Sequence, residues 1–120
     1  MTDVSTGQAW AVDAYGCRPD GLRSLDVLAR VFDAVVREAS LRPLRAPVWH
    51  AFPAPGGVTG FLLLQESHLA VHTFPERGFA AFDLYCCRER EPWQWEARLA
   101  TLLGAQRVVV RRLTRGETPA

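Results

Sequence analysis

The sequence contains no lysine, and all 14 of its basic residues are arginine. Enzymes that use pyridoxal phosphate hold their cofactor as an imine on a lysine amine, so that route to amine chemistry is closed to this chain. A carbonyl group made from the protein backbone would not need a lysine. The composition therefore excludes an enzyme that binds pyridoxal phosphate through a lysine, and it leaves open one whose carbonyl cofactor is made from the backbone.

The chain also has little net charge and no long apolar run. The net charge is only +1, which gives no overall field for binding nucleic acid or an anionic membrane surface. No apolar run approaches the roughly 20 residues of a membrane span, and the N-terminus lacks a basic-then-apolar signal pattern. We therefore expect a cytoplasmic protein with a small-molecule partner, and no nucleic-acid or membrane partner.

Cysteine is rare, with three residues in 120. Cys86 and Cys87 are adjacent, which makes a poor disulfide framework, so Cys17, Cys86 and Cys87 are interpreted as thiols. The chain is 48% apolar, enough for one compact core. We expect a single domain over residues 1–120.

Patterns of apolar residues divide the chain into eight elements. Strands are predicted over residues 8–15, 48–52, 58–65, 68–74, 79–86 and 107–113, and helices over 22–39 and 93–103. Ser24 suits the start of the first helix, and Gly104 suits the end of the second. The order β-α-β-β-β-β-α-β predicts an α+β fold, a two-layer sandwich with two helices on one face of a mostly antiparallel sheet.

Polar residues interrupt the strand pattern between residues 66 and 76. The hydroxyl of Ser67 can attack the carbonyl of Glu66 to give an ester, and β-elimination followed by hydrolysis then leaves a pyruvoyl group. That chemistry needs a base, and His72 is the nearest histidine in a suitable polar setting. For an isolated Ser-His pair, an ordinary serine at a strand end beside surface histidines is the alternative interpretation.

Strand geometry complicates the choice of base. In an unbroken strand, residues 67 and 72 point to opposite faces, whereas His68 and His72 share one face. Spacing alone favours His68 as the partner of Ser67, while a bulge at the cleavage point would restore His72. Both assignments stay open from the residues alone.

The same histidines and cysteines offer a second alternative, a zinc site. His68 and His72, with Cys86 and Cys87 across the predicted hairpin, are suitable ligand types. Adjacent cysteines on a strand point apart, however, and the chain has no Cys-x-x-Cys pair. The pattern therefore favours no metal.

The run Glu66-Ser-His-Leu-Ala-Val-His-Thr-Phe-Pro-Glu76 resembles the self-cleavage motif of the prokaryotic S-adenosylmethionine decarboxylase proenzymes. The resemblance extends to residues 12–17, to Gly57-Val-Thr-Gly60 and to Pro92-Trp93, so it covers most of the chain. Three differences stand out: Thr59 replaces the usual serine, Cys86 the usual threonine, and the first strand has Gln8-Ala-Trp10 where a histidine is common. The turn before Thr59 is also one residue longer.

The resemblance implies a role for each matching residue. Ser67 becomes the pyruvoyl cofactor after cleavage of the Glu66–Ser67 bond, which gives a β chain of residues 1–66 and an α chain of residues 67–120. Thr59 and His72 assist processing, and the thiol of Cys87 returns a proton to the substrate after carbon dioxide leaves. The substrate-binding residues implied in the same way are Phe52 and Phe74, as plates for adenine, and Glu76, for the ribose hydroxyls.

The implied function is pyruvoyl-dependent decarboxylation of S-adenosylmethionine, which supplies the aminopropyl donor for polyamine synthesis. Members of the family pair as dimers with shared sites, so a homodimer is expected. Two alternatives remain: an arginine or ornithine decarboxylase with the same cofactor and fold, and an uncleaved regulatory homologue without activity.

Overall fold

A computed structural model of the chain describes residues 7–65, 67–88 and 90–116. Six strands run over β1 (Gly7–Tyr15), β2 (Val48–Ala51), β3 (Val58–Leu63), β4 (Ser67–Phe74), β5 (Phe79–Cys86) and β6 (Arg107–Arg115). Helices run over α1 (Pro19–Leu22), α2 (Leu25–Glu38) and α3 (Trp95–Leu103), and a 3-10 turn (Pro75–Arg77) joins β4 to β5. The predicted order of long elements is confirmed.

The six strands form one sheet in the order β2-β3-β4-β5-β1-β6, and every neighbouring pair is antiparallel. The long helices pack on one face of this sheet, hereafter the buried face, as the α+β prediction required. The other face, hereafter the open face, carries no layer within the described residues. Strand alternation therefore decides which side chains enter the core and which remain available.

Helix α2 packs on the sheet because its apolar residues recur at helical spacing. Leu28, Val31 and Phe32 are at most 1% exposed. Ser24 caps the helix, its hydroxyl accepting a hydrogen bond from the backbone N of Val27 at 3.1 Å. The predicted start at residue 22 was early because residues 19–22 form a separate short helix, α1, that begins at Pro19.

Helix α3 also starts later than predicted, at Trp95 rather than residue 93. Its end is as expected, since Gly104 takes the left-handed conformation, with φ of 71°, that closes helices. No helix within residues 7–65, 67–88 and 90–116 is long and apolar enough to cross a membrane.

Thr73 connects helix α1 to the sheet through a buried hydroxyl. Its Oγ1 donates to the carbonyl of Leu22 at 2.7 Å and accepts from the backbone N of Val58 at 2.8 Å. Because both partners are buried backbone groups, the hydroxyl satisfies two groups that water cannot reach. This contact fixes the end of β4 that follows His72.

Candidate active site

Ser67 is the first residue of β4, immediately after a tight hairpin connection from β3. The backbone N of Leu64 donates to the carbonyl of Ser67 at 3.0 Å, which leaves only two residues between them. One of these, the predicted cleavage partner Glu66, lies outside the described residues. The half-buried Ser67 therefore stands beside the tip of a hairpin.

The side chain of Ser67 projects from the buried face into a small polar cluster. Ser67 lies directly opposite Cys86 of β5, and Cys86 lies opposite Gln8 of β1, so the three side chains form a row across the sheet. The Ser67 hydroxyl is near the Cys86 thiol and lowers its pKa. Gln8 is 3% exposed, and its Oε1 accepts from the backbone N of Arg90 at 3.3 Å.

The guanidinium of Arg90 completes this cluster. It lies near the thiol of Cys86, and its Nη1 donates to the carbonyl of Ala39, after the end of α2, at 2.8 Å. Burial raises the pKa of Cys86, and the nearby charge of Arg90 opposes that rise only in part. Cys86 is therefore a neutral thiol near pH 7.

Ser67 and Cys87 both line a cavity of about 460 Å³ at this end of the sheet. Three arginines contribute to the same wall, namely Arg42, Arg88 and Arg90. Cys87 follows the last residue of β5 and is exposed, in contrast to the partly buried thiol that its proton-donating role favours. The structure thus places the predicted cofactor precursor and the predicted acid beside one cavity.

Thr59 and His72 form a second group, on the open face. They lie opposite each other on β3 and β4, and the Thr59 Oγ1 is 3.1 Å from the His72 Nδ1. His50 of β2 is opposite Thr59 on its other side. The predicted pair of processing residues is therefore in direct contact, with His72 exposed and able to serve a group outside its own strand.

The predicted substrate-binding residues lie at the same end of the open face. Phe52 follows β2 and is 51% exposed, while Phe74 ends β4 and is 40% exposed. Continuing the pairing of β3 with β4 past Thr59 and His72 brings Gly57 opposite Phe74, and the backbone N of Phe52 donates to the Gly57 carbonyl at 2.9 Å.

The two rings therefore flank a position without a side chain. With strands spaced by about 4.8 Å, Phe52 and Phe74 are roughly 10 Å apart across Gly57. A Cβ on Gly57 would collide with the carbonyl of Thr73, so this position tolerates only glycine. Glu76 lies in the adjoining 3-10 turn with an exposed carboxylate. The two phenylalanine rings, the space at Gly57 and the carboxylate of Glu76 thus lie at one end of the sheet.

The two groups are separated within one chain. Ser67 and His72 are five residues apart on β4, about 17 Å at 3.3 Å per residue, and they project from opposite faces. The pairing of β4 with β5 runs without a bulge from residue 67 to residue 74. The bulge that would restore the contact between Ser67 and His72 is absent from this strand.

His68 does not take the place of His72. It projects from the open face, where its ring stacks between Phe61 at 5.7 Å and Tyr85 at 5.8 Å. Zinc binding gains no support either, because the described residues hold no group of three or more histidines, cysteines or carboxylates arranged to bind a metal. Cys86 and the two histidines are on opposite faces of the sheet.

The sequence pattern predicts no role for Arg90, and it marks Gln8 only as a departure from the family pattern. One signal was available for Gln8, because it occupies a position that alternates with the buried Trp10 and Val12. Arg90 follows Glu89 in a charged stretch, which resembles a solvated loop. Its contact with Cys86 depends on how that loop folds over the sheet end.

Comparison with known proteins agrees with this fold. The family model described as S-adenosylmethionine decarboxylase matches residues 8–116. The chain belongs to that family. The S-adenosylmethionine decarboxylase proenzyme of Geobacillus kaustophilus is 37% identical over 108 residues, which cover 89% of this chain and 85% of that protein.

Two further similarities cover nearly the whole chain. The proenzyme of the same name from Caldicellulosiruptor saccharolyticus is 32% identical over 111 residues, covering 92% of this chain and 88% of the relative. The crystal structure of the adenosylmethionine decarboxylase from Aquifex aeolicus superposes with a TM-score of 0.81 at 26% identity, covering 98% of this chain and 96% of that one. The family resemblance inferred from the motif is confirmed.

Proposed function

We propose that the chain cuts itself between Glu66 and Ser67 and then decarboxylates S-adenosylmethionine, providing an aminopropyl donor for polyamine synthesis. The observation that carries this proposal is the placement of Ser67 at a hairpin tip beside the cavity that also holds Cys87. The relatives that match are named as proenzymes of this activity. Their names support the substrate assignment for this chain.

The surroundings of Ser67 suit a pyruvoyl group. The residue is half-buried, a cavity of about 460 Å³ adjoins it, and a thiol lines the same wall. A pyruvoyl group supplies an electrophilic carbonyl that binds the substrate amine and withdraws electrons during loss of carbon dioxide. The chain's own residues then bind and orient the substrate, and Cys87 returns the proton to its carbon.

A homodimer with sites shared between protomers explains the separation of the two groups. Ser67 and Cys87 lie at one end of β4, whereas Thr59, His72 and the two phenylalanines lie at the other. A two-fold axis through the open faces brings the start of β4 in one protomer to the His72 end of β4 in its partner, twice per dimer. The main chain of a strand lies in the plane of the sheet, so His72 acts from the open face on the peptide bond before the partner's Ser67, although the side chain of that serine projects the other way.

The open face has the composition of a buried interface. Six large apolar side chains on or beside it are at least 40% exposed in the single chain: Val48, Phe52, Phe61, Leu63, Phe74 and Leu113. Monomeric proteins rarely leave such a surface uncovered. A second copy covers it, and in doing so excludes water from the site between the sheets.

Intact-mass spectrometry and a decarboxylation assay test the proposal together. Freshly purified protein should give chains of 66 and 54 residues (120 − 66), with no free amine at the start of the shorter one. Release of labelled carbon dioxide should favour S-adenosylmethionine over arginine and ornithine at matched concentrations. A folded protein that stays whole would show that the enzymatic function is wrong, and preference for arginine or ornithine would overturn the substrate.

A further inference from the structure

Cys86 has no part in the decarboxylation described above, yet it is the side chain directly opposite Ser67. Residues opposite each other in an antiparallel pair have Cβ atoms about 5 Å apart on the same face. At this distance the thiol and the hydroxyl are within reach of each other. Cys86 is 1% exposed, so water does not compete for its thiol.

The guanidinium of Arg90 lies near Cys86 and lowers the pKa of its thiol. A guanidinium can only donate hydrogen bonds, so the sulfur is the acceptor in any bond between the two. Arg90 is itself held at two points, by Gln8 at its backbone N and by the Ala39 carbonyl at its Nη1. Its buried Nε has no hydrogen-bond partner among the described residues.

We propose that Cys86, held by Arg90, is a positioning residue for self-cleavage that fixes the Ser67 hydroxyl in the rotamer from which it attacks the preceding carbonyl. This inference rests on the proposed function, because it concerns the first step of chain cleavage. In that step the Ser67 Oγ bonds to the carbonyl carbon of residue 66, the peptide C–N bond breaks, and the hydroxyl proton passes to the released amine.

The protonated state of Cys86 is consistent with this role. Burial raises the pKa of its thiol, so it stays neutral near pH 7. A thiolate beside the peptide bond would itself be a nucleophile and would compete with the serine. A neutral thiol fixes the oxygen without competing, in either direction of the thiol–hydroxyl hydrogen bond.

Threonine and valine at position 86 separate hydrogen bonding from packing, because they are nearly the same size and differ in one hydroxyl. A time course of cleavage after cell-free synthesis should show Cys86→Thr within about threefold of the wild-type rate and Cys86→Val slower by about tenfold or more, the effect of one net hydrogen bond. Arg90→Lys and Arg90→Met form a second matched pair, with Arg90→Met the slower. Thermal unfolding of each variant in an uncut Ser67→Ala background verifies folding.

The outcomes distinguish this inference from the proposed function. If the wild-type chain itself is not cut, the proposed function fails. The positioning role is overturned if the wild-type chain is cut and the folded Cys86→Val variant is cut as fast as Cys86→Thr. Equal slowing of folded Cys86→Thr and Cys86→Val would overturn it as well, because packing would then account for the effect. If neither Cys86 variant folds, cleavage of Arg90→Met at the wild-type rate would overturn the positioning role.

Discussion

Ser67 and His72 belong to the same unbroken strand and project from opposite faces of the sheet. Strand geometry causes this separation, because side chains five residues apart on a strand point to opposite faces and are about 17 Å apart along it. Small side-chain movements do not close such a gap. If both residues act in cleavage, as the motif implies, the histidine acts on the serine of another chain.

Complementation between two inactive variants tests this arrangement. Ser67→Ala and His72→Ala should each remain uncut when expressed alone. When they are co-expressed, the His72→Ala chain should be cut, because its intact serine meets the intact histidine of a Ser67→Ala partner. Intact-mass spectrometry identifies the cut chain, and random pairing makes mixed dimers about half of the total.

The control is the Ser67→Ala chain in the same mixture, which should stay whole because it lacks the attacking hydroxyl. Absence of any cleavage in mixed dimers that demonstrably form would place each site within one protomer. That result would contradict the shared site and leave the family assignment unaffected.

The two adjacent thiols should act at different stages. Cys87→Ala should still be cut but lose turnover by about 100-fold or more, the usual effect of removing a general acid. Once processed, Cys86→Ala should lose far less turnover, because its thiol is 1% exposed and does not line the cavity that Ser67 and Cys87 share. Assays normalised to the amount of processed chain check this, and a larger turnover defect in Cys86→Ala would reverse the assignment.

The ring of Phe74 should matter for binding S-adenosylmethionine. Phe74→Ala should lower kcat/KM by about tenfold through lost stacking, while Phe74→Tyr keeps a flat ring and should stay near wild type. Cleavage should be normal in both variants, because the ring of Phe74 carries no group that can take or give a proton in the cleavage step. Unchanged kinetics in Phe74→Ala would remove the residue from the adenine pocket.

The hydroxyl of Thr73 should contribute to stability rather than to chemistry. Thr73→Val keeps the volume but leaves the Leu22 carbonyl and the Val58 N unsatisfied, which should lower the free energy of unfolding by about 2–3 kcal/mol. Thr114→Val, at an exposed strand position, should change it by no more than about 0.5 kcal/mol.

Urea unfolding in an uncut Ser67→Ala background measures both variants as single chains. Equal midpoints for Thr73→Val and Thr114→Val would show that the buried hydroxyl contributes no net stability. The comparison is independent of activity, so it tests the packing of α1 on the sheet alone.

Much of the fold is predictable from the sequence because its signals are local. Alternating apolar residues predict β5 over residues 79–86, as observed, and the spacing of Leu28 and Phe32 predicts α2. Helix starts were less accurate, because residues 19–22 form a separate short helix, α1, before Ser24 caps α2. Capping depends on backbone geometry that apolar spacing does not encode.

The candidate site was also predictable only in part from the sequence. The sequence determined the reactive run from Glu66 to Glu76, the family, and even the parity that sets Ser67 and His72 on opposite faces. Tertiary structure alone decided which face helices cover and that Cys86 stands opposite Ser67. Those contacts join segments distant in the sequence, so they depend on register and packing, which no local pattern of residues specifies.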